Sequence, residues 1–253
     1  MSQDAPTATR LKRVRIEPKR RTLTVVAIEA LTPGMRRIRF QSPALQDFSS
    51  LSPDDHIKLF FTGADGATIM RDYTPRGFDN AAATLVIDFA LHEAGPATAW
   101  AIAAKVGDTL EIGGPRGSTV VPDVFAWYLL IGDETALPAI ARRVEELPPG
   151  TAVTTIVTVD SAKEIQSFKT TANWTAEWVL RDIAGQDDIA NVRQAIGRLT
   201  PTTANGFVWI AGEAQFARSL RVCLIEEHGH PAIDMKAAGY WVRGAEGAHQ
   251  PLD

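Results

Sequence analysis

The apolar period of this chain changes near its midpoint, and that change limits the folds open to it. Up to about residue 120, apolar residues recur at every second position. Leu23, Val25 and Ala27 alternate with Thr22, Thr24 and Val26, and Ile38 and Phe40 alternate with Arg37 and Arg39. Ile57, Leu59 and Phe61 share one side of a strand whose other side carries His56, Lys58 and Phe60. Leu85, Ile87, Phe89 and Leu91 form a further stripe, and Thr109–Ile112 follows a Gly107-Asp108 turn. Alternation of this kind belongs to half-buried strands. Many short strands with few helical stretches predict a small closed antiparallel barrel. The one helix expected in this half is Ala97–Val106, with Pro96 in its first turn.

Beyond residue 122 the pattern becomes apolar runs alternating with helical spacing. Trp127–Ile131, Val153–Val159, Glu177–Leu180 and Phe207–Ala211 read as strands. Helical patterns run to Leu147, through Ile189, Val192, Ile196 and Leu199, and to about His228. Strands alternating with helices predict a doubly wound parallel sheet. The expected division is a basic arm at 1–21, a β-barrel domain at 22–122 and a Rossmann-like α/β domain at 123–253. Ligands of open α/β sheets bind at the carboxyl ends of the strands. Here those ends carry Gly132-Asp133-Glu134-Thr135, Asp160 and Gly212-Glu213.

Charge and composition narrow the function. The formal charge is −4, which disfavours a generally basic nucleic-acid binder. The arm holds seven basic and two acidic side chains, so it is +5 and the remaining body −9. A solvated, frayed terminus is the simplest reading of such an arm. One cysteine, Cys223, excludes an internal disulfide framework and a multi-cysteine metal site. It sits at helical spacing and reads as a core thiol. No apolar run reaches the roughly 20 residues of a membrane span, and residues 1–21 lack the apolar stretch of a signal peptide. A cytoplasmic monomer is expected.

The sharpest stretch is Arg71-Asp72-Tyr73-Thr74-Pro75-Arg76. An arginine fork suits a pyrophosphate, Tyr73 can stack on a flat ring, and Thr74 can hydrogen-bond a ring edge. By spacing alone, a surface loop of salt-bridged arginines explains it equally well. Four further segments accompany it: Asp54–Phe61, Asp88–His92 continuing into Gly95–Ala101, Leu130–Ile140, and Gly239–Gly244. The R-x-Y-[ST] pattern resembles the flavin motif of the ferredoxin reductase superfamily. The five segments, in order over roughly residues 22–245, resemble the siderophore-interacting proteins, which are FAD-dependent ferric-siderophore reductases.

That resemblance implies roles. Arg71 and Arg76 would hold FAD phosphates, Tyr73 would pack on the isoalloxazine and Thr74 would lie near its reactive nitrogen. Tyr73 and Thr74 are thus the residues nearest the chemistry. Asp88, His92, Gly95, Ala97 and Thr98 belong to the turn and helix start that would take the FAD pyrophosphate. Gly114, Gly117 and Ser118 form a loop placed beside the flavin, although read alone they are a turn as readily as a ligand loop.

In the second half, Asp133 or Glu134 caps the following helix rather than touching phosphate, leaving Thr135 the better nucleotide contact. Gly212, Glu213 and Trp241 complete the nucleotide-side candidates. Arg181 would favour the 2′-phosphate of NADPH, although a surface ion pair explains it equally well, whereas Asp160 would favour the 2′-hydroxyl of NADH; the two cues conflict. The Ala211-Gly212-Glu213-Ala214 stretch departs from the cysteine–glycine motif of ferredoxin reductase proper.

No Ser-His-Asp set and no metal-ligand spacing is present, so any iron handled belongs to the substrate. The implied reaction passes a hydride from NAD(P)H to FAD, then single electrons to siderophore-bound Fe(III). Reduced ferredoxin is a further possible donor. Lys58, Arg116 and Arg243 are candidate cations for an anionic ferric siderophore. A general NAD(P)H:flavin or ferric reductase is the alternative enzyme, and a flavin- or siderophore-binding carrier the alternative without catalysis.

Overall fold

The computed structural model describes residues 11–63, 65–91, 95–199, 205–245 and 250–251. In the first half, β1 (Lys12–Arg15), β2 (Arg20–Thr32), β3 (Met35–Gln41), β4 (Ile57–Thr62) and β5 (Thr68–Tyr73) come first. They are followed by β6 (Gly77–Asp79), β7 (Thr84–Ala90), helix α1 (Pro96–Ala103), β8 (Thr109–Gly113) and β9 (Gly117–Val120). Seven of these strands form one antiparallel sheet in the order β5-β4-β8-β2-β3-β7-β6. It curls barrel-like round a core that includes Leu23, Ile38, Phe40, Leu59, Ile87 and Phe89.

The stripes on β4 and β7 bury the residues that alternation predicted. On β2 the alternation breaks. A bulge between Val25 and Ala27 shifts the register against β3, so Ala27 faces outward with Val26. Helix α1 ends at Ala103, three residues before the expected Val106, because Ala104 leaves helical geometry ahead of the Gly107 turn.

The basic arm is not simply frayed. Lys12–Arg15 pairs antiparallel with β9, and Arg20-Arg21 already belongs to β2. Arg21 is buried against Asp47 and the Ala44 carbonyl, Lys19 pairs with Asp47, and Arg20 lies over the Phe60 ring. Backbone pairing overrides the local charge here.

The second half holds β10 (Trp127–Gly132), α2 (Leu137–Glu146), β11 (Ala152–Val159), β12 (Asn173–Leu180), α3 (Arg181–Ala184) and α4 (Asp188–Arg198). Then come β13 (Gly206–Glu213), α5 (Ala214–Glu226), β14 (Met235–Trp241) and β15 (Gln250–Pro251). Five parallel strands run in the order β12-β11-β10-β13-β14, with β15 antiparallel at the edge. This is the doubly wound order that reverses at β10. Helix α2 covers one face; α4 and α5 cover the other.

Two features were not expected. The crossover from β11 to β12 has no full helix, only a 3-10 turn at Ala162–Glu164. The face left open is filled by Phe168 stacked on Trp174 and by residues of the barrel, Met35 and Ala90 among them.

Candidate functional site

The Arg71–Arg76 segment runs off the end of β5 into β6. Tyr73 packs on Phe89 at 4.7 Å between ring centroids, and Phe89 also meets Trp100 of α1 at 6.0 Å. Burial pushes the Tyr73 phenol up, against the pull of the Arg71 charge, so the ring presents a neutral face. Thr74 is buried at the boundary between the halves, where it faces the phenol of Tyr240 on β14. Burial and the Asp54 carboxylate push the Tyr240 phenol well up, against a slight downward pull from Thr74, so it too stays protonated.

Helix α1 opens on Gly95, which has no side chain to cap it, and no side chain among the described residues caps its first amides. No acidic residue lies in its first turn, and a Cβ at Gly95 would meet nothing within 4 Å. Free amides at a helix start, with the dipole behind them, are the donor set a diphosphate requires. The residues at this end therefore fit FAD: α1 amides for the pyrophosphate, with Ala97 and Thr98 in its first turn, and Tyr73 for the ring. His92 lies outside the described residues.

Other expected cofactor residues have partners within the protein. Asp88 takes both nitrogens of the Arg37 fork at 2.7 Å and lies 3.6 Å from Arg76. Arg76 is itself buried and reaches across to α2, pairing with Glu145 at 2.8 Å. Ser118 donates to the buried Asp55 at 2.6 Å and accepts from the Leu51 amide. Gly117 is small because β1 crosses it; a Cβ there would lie 2.7 Å from the Val14 carbonyl oxygen. Gly114 accepts from Arg21 through its carbonyl. These residues build the wall of the site rather than offer free groups to it.

At the carboxyl edge of the parallel sheet, Asp133 joins three strand ends. It accepts from the Thr135 amide and hydroxyl, from the Glu213 amide at 2.9 Å and from the Trp241 indole at 2.8 Å. Gly212 lets it in: a Cβ there would sit 2.6 Å from Asp133 Oδ2. Glu213 caps α5, accepting from Gln215 and Phe216 amides at 2.7 and 2.9 Å, and takes the Arg243 amide as well. Neither Asp133 nor Glu134 caps α2 as expected. That helix begins at Leu137 with Ala136 as its uncapped N-cap, because Asp133 turns back to Thr135, Glu213 and Trp241. Glu213 is the residue that caps its helix, α5.

Arg181 is enclosed by carboxylates. It bonds Glu134 at 3.0 Å, Asp188 at 2.7 Å, Asp160 at 3.0 Å and the Thr158 hydroxyl at 3.2 Å. Burial works against its charge, but the hydrogen bonds to Asp188 and the charge of Glu134 hold the guanidinium well above its usual value. Burial and Asp133 push the Glu134 carboxyl up against the pull of Arg181. The two conflicting cues, Arg181 and Asp160, are thus partners of one another, and neither is a bare phosphate or ribose contact.

Of the three candidate siderophore cations, Lys58 pairs with Asp72 across the β4–β5 ladder at 2.6 Å. Arg116 and Arg243 are exposed. Among the described residues no group of three or more His, Cys, Asp or Glu could hold a metal ion.

Sequence reasoning did not single out the residues that join the halves. Asp54 accepts from the Trp209 indole at 3.2 Å and pairs with Lys236. Burial pushes its carboxyl up, but Lys236 and the Ser52 hydroxyl pull it down to about 2. Arg142 of α2 reaches Ser50 and Pro75, and Glu164 accepts from Thr32 and Gly34. The helical pattern gave no signal for Arg142: it lies on the side of α2 opposite Leu137, Ile140 and Val144, and only the packing of the first half against that side buries it.

An antiparallel barrel-like sheet followed by a doubly wound parallel sheet is the architecture of the ferredoxin reductase fold. A ferredoxin NADP+ reductase from Neisseria gonorrhoeae shares the fold, with a TM-score of 0.61 at 16% identity over 82% of this chain and 91% of that one. Residues 24–68 and 62–119 match the siderophore-interacting FAD-binding domain, and residues 125–244 match the siderophore-interacting protein family. The chain belongs to that family. It is 32% identical over 251 residues to an NADPH-dependent ferric-chelate reductase of Escherichia coli, covering 91% of this chain and 96% of the relative. A siderophore utilization protein from T. fusca superposes with a TM-score of 0.85 at 33% identity, covering 94% and 98% of the two chains.

Proposed function

We propose that this chain is an FAD-dependent ferric-siderophore reductase driven by NADPH. The observation that carries the reading is the uncapped start of α1 on the barrel that also carries Tyr73, within a family whose FAD-binding domain spans the same residues. When bound, FAD supplies two-electron uptake from the nucleotide and one-electron delivery to ferric iron. Arg71 and the α1 amides hold its phosphates, Tyr73 backs the ring and Thr74 hydrogen-bonds the ring edge.

Residues 22–122 form the flavin half and 123–253 the nucleotide half. Thr135 and Trp241 flank the nucleotide at the sheet edge. Arg116 and Arg243, exposed on an acidic body, attract an anionic ferric chelate. Fe(II) is held less tightly than Fe(III) by hard oxygen donors, so reduction loosens the iron from its chelator. No helix among the described residues is long and apolar enough to cross a membrane. The enzyme acts as a monomer in the cytoplasm.

The test is the purified protein's colour and its response to donor and acceptor. It should be yellow, bleach anaerobically with NADPH, and regain colour on adding a ferric siderophore. A protein that takes up no FAD, or a bound flavin that NADPH leaves oxidised, would overturn the proposal.

A further inference from the structure

The flavin-side segment is held from the other half of the molecule, by one turn of α2. Arg142 lies in that turn and is 4% exposed, yet its guanidinium does not end in its own domain. Nη1 donates to the Ser50 hydroxyl at 2.7 Å and to the Pro75 carbonyl at 3.1 Å, and Nη2 donates to the Ser50 carbonyl at 2.9 Å. Nε is fixed by Glu146 at 2.6 Å, four residues on along the helix. Three residues beyond Arg142, Glu145 takes Arg76 with both oxygens at 2.8 Å.

These contacts fall immediately after Thr74. Pro75 is the next residue in the chain, and Arg76 the one after. The Ser50 hydroxyl also donates to Asp55 at 2.9 Å, and Asp55 receives Ser118 at 2.6 Å from the glycine loop. One buried network thus joins both flavin-side segments to a helix whose other end follows Asp133–Thr135 at the nucleotide edge. A planar fork serving two carbonyls and a hydroxyl fixes direction as well as distance, which an ammonium group cannot do.

We infer that Arg142 is a positioning residue for the flavin: it sets the Thr74–Arg76 backbone against the ring and links that setting to the nucleotide-bearing end of α2. The inference rests on the flavin reading above. Misplacement of a reacting edge by about 1 Å costs up to about 100-fold in rate, so partial loosening here should cost about tenfold.

The experiment uses full-length protein carrying FAD, with Arg142→Met and Arg142→Lys beside the wild type. The visible-region circular dichroism of the bound flavin and the anaerobic bleaching rate at saturating NADPH are both measured. Arg142→Met should retain FAD, change the flavin dichroism and lower the saturating rate about tenfold, with the KM for NADPH within about twofold. Arg142→Lys should fall between it and the wild type. If Arg142→Met does not fold, the same paired change in Arg142→Lys, smaller in size, supports the inference. Wild-type dichroism and wild-type rate in a folded variant with FAD bound would overturn it, as would a rate loss that tracks FAD content alone. Should NADPH fail to bleach the wild type, the reductase reading falls, while the dichroism comparison still decides the role of Arg142.

Discussion

Among the described residues helix α1 starts without a side-chain cap, whereas the Thr135 amide ahead of α2 and the first amides of α5 are taken by Asp133 and Glu213. In the function proposed above one end takes FAD and the other NADPH, so the difference would separate a resident group from a visitor. Open amides bind a diphosphate and keep it. Amides satisfied by the chain's own carboxylates hold the sheet edge rigid and offer weaker attraction, which suits a cosubstrate that must leave after each turnover.

The comparison can be broken in order of expected effect. Asp133→Ala strips the partner from the Thr135 and Glu213 amides and the Trp241 indole. Stability should fall by about 3 kcal/mol, seen as a Tm drop of about 10 °C; a drop under about 2 °C would show that the carboxylate is dispensable at the edge.

Gly95→Asp supplies α1 with the carboxylate it lacks. FAD affinity should weaken about 100-fold in a fluorescence titration, with far-ultraviolet dichroism unchanged. Affinity within about threefold of wild type would place the pyrophosphate elsewhere.

Lys236→Met tests the seam between the two ends. Asp54 is held at about 2 in the folded protein, below the ordinary carboxyl value of 3.8, so the pair stabilises above about pH 4 and loses its contribution as pH falls toward 2. The variant should be about 2 kcal/mol less stable at neutral pH in urea unfolding. Its deficit should shrink toward pH 2; a deficit independent of pH would remove Asp54 from the explanation.

Glu213→Gln is the mildest. It keeps an oxygen to cap α5 but removes a negative charge from the nucleotide edge. The KM for NADPH should fall about threefold, at a stability cost below about 1 kcal/mol. A higher KM would mean that Glu213 attracts the nucleotide rather than repels it.

Much of this was readable in the chain. Period-2 stripes located β4 and β7, and the apolar runs located β10, β11 and β13, because burial on one or both faces leaves a direct imprint on residue type. The bulge in β2 left no imprint: Val26 and Ala27 are as compatible with strand as their neighbours, and only pairing with β3 fixes the register. The site shows the same division. Tyr73, Thr74 and the Gly95 turn were legible as residue types, and the flavin role proposed for them rests on the family. The occupation of Arg76, Asp88, Ser118 and Arg181 by partners within the chain was not, since Glu145, Arg37, Asp55 and Asp188 become neighbours only after folding. Lys58 is the simplest case. Its position on the outer side of β4 was correct, but its partner Asp72 lies directly across the ladder on β5.

The missing helix between β11 and β12 has an architectural consequence. Met35, Ala90 and Leu31 from the first half pack into the apolar layer of the second, and Leu11 joins them. Separating the two halves would strip Met35, Ala90, Leu31 and Leu11 from the apolar layer they share with Phe125, Tyr128 and Phe207. The two halves are therefore not interchangeable building blocks. A graft of the nucleotide half onto a foreign barrel would need the β2–β3 hairpin to travel with it, and the intact chain should melt in one cooperative step rather than two.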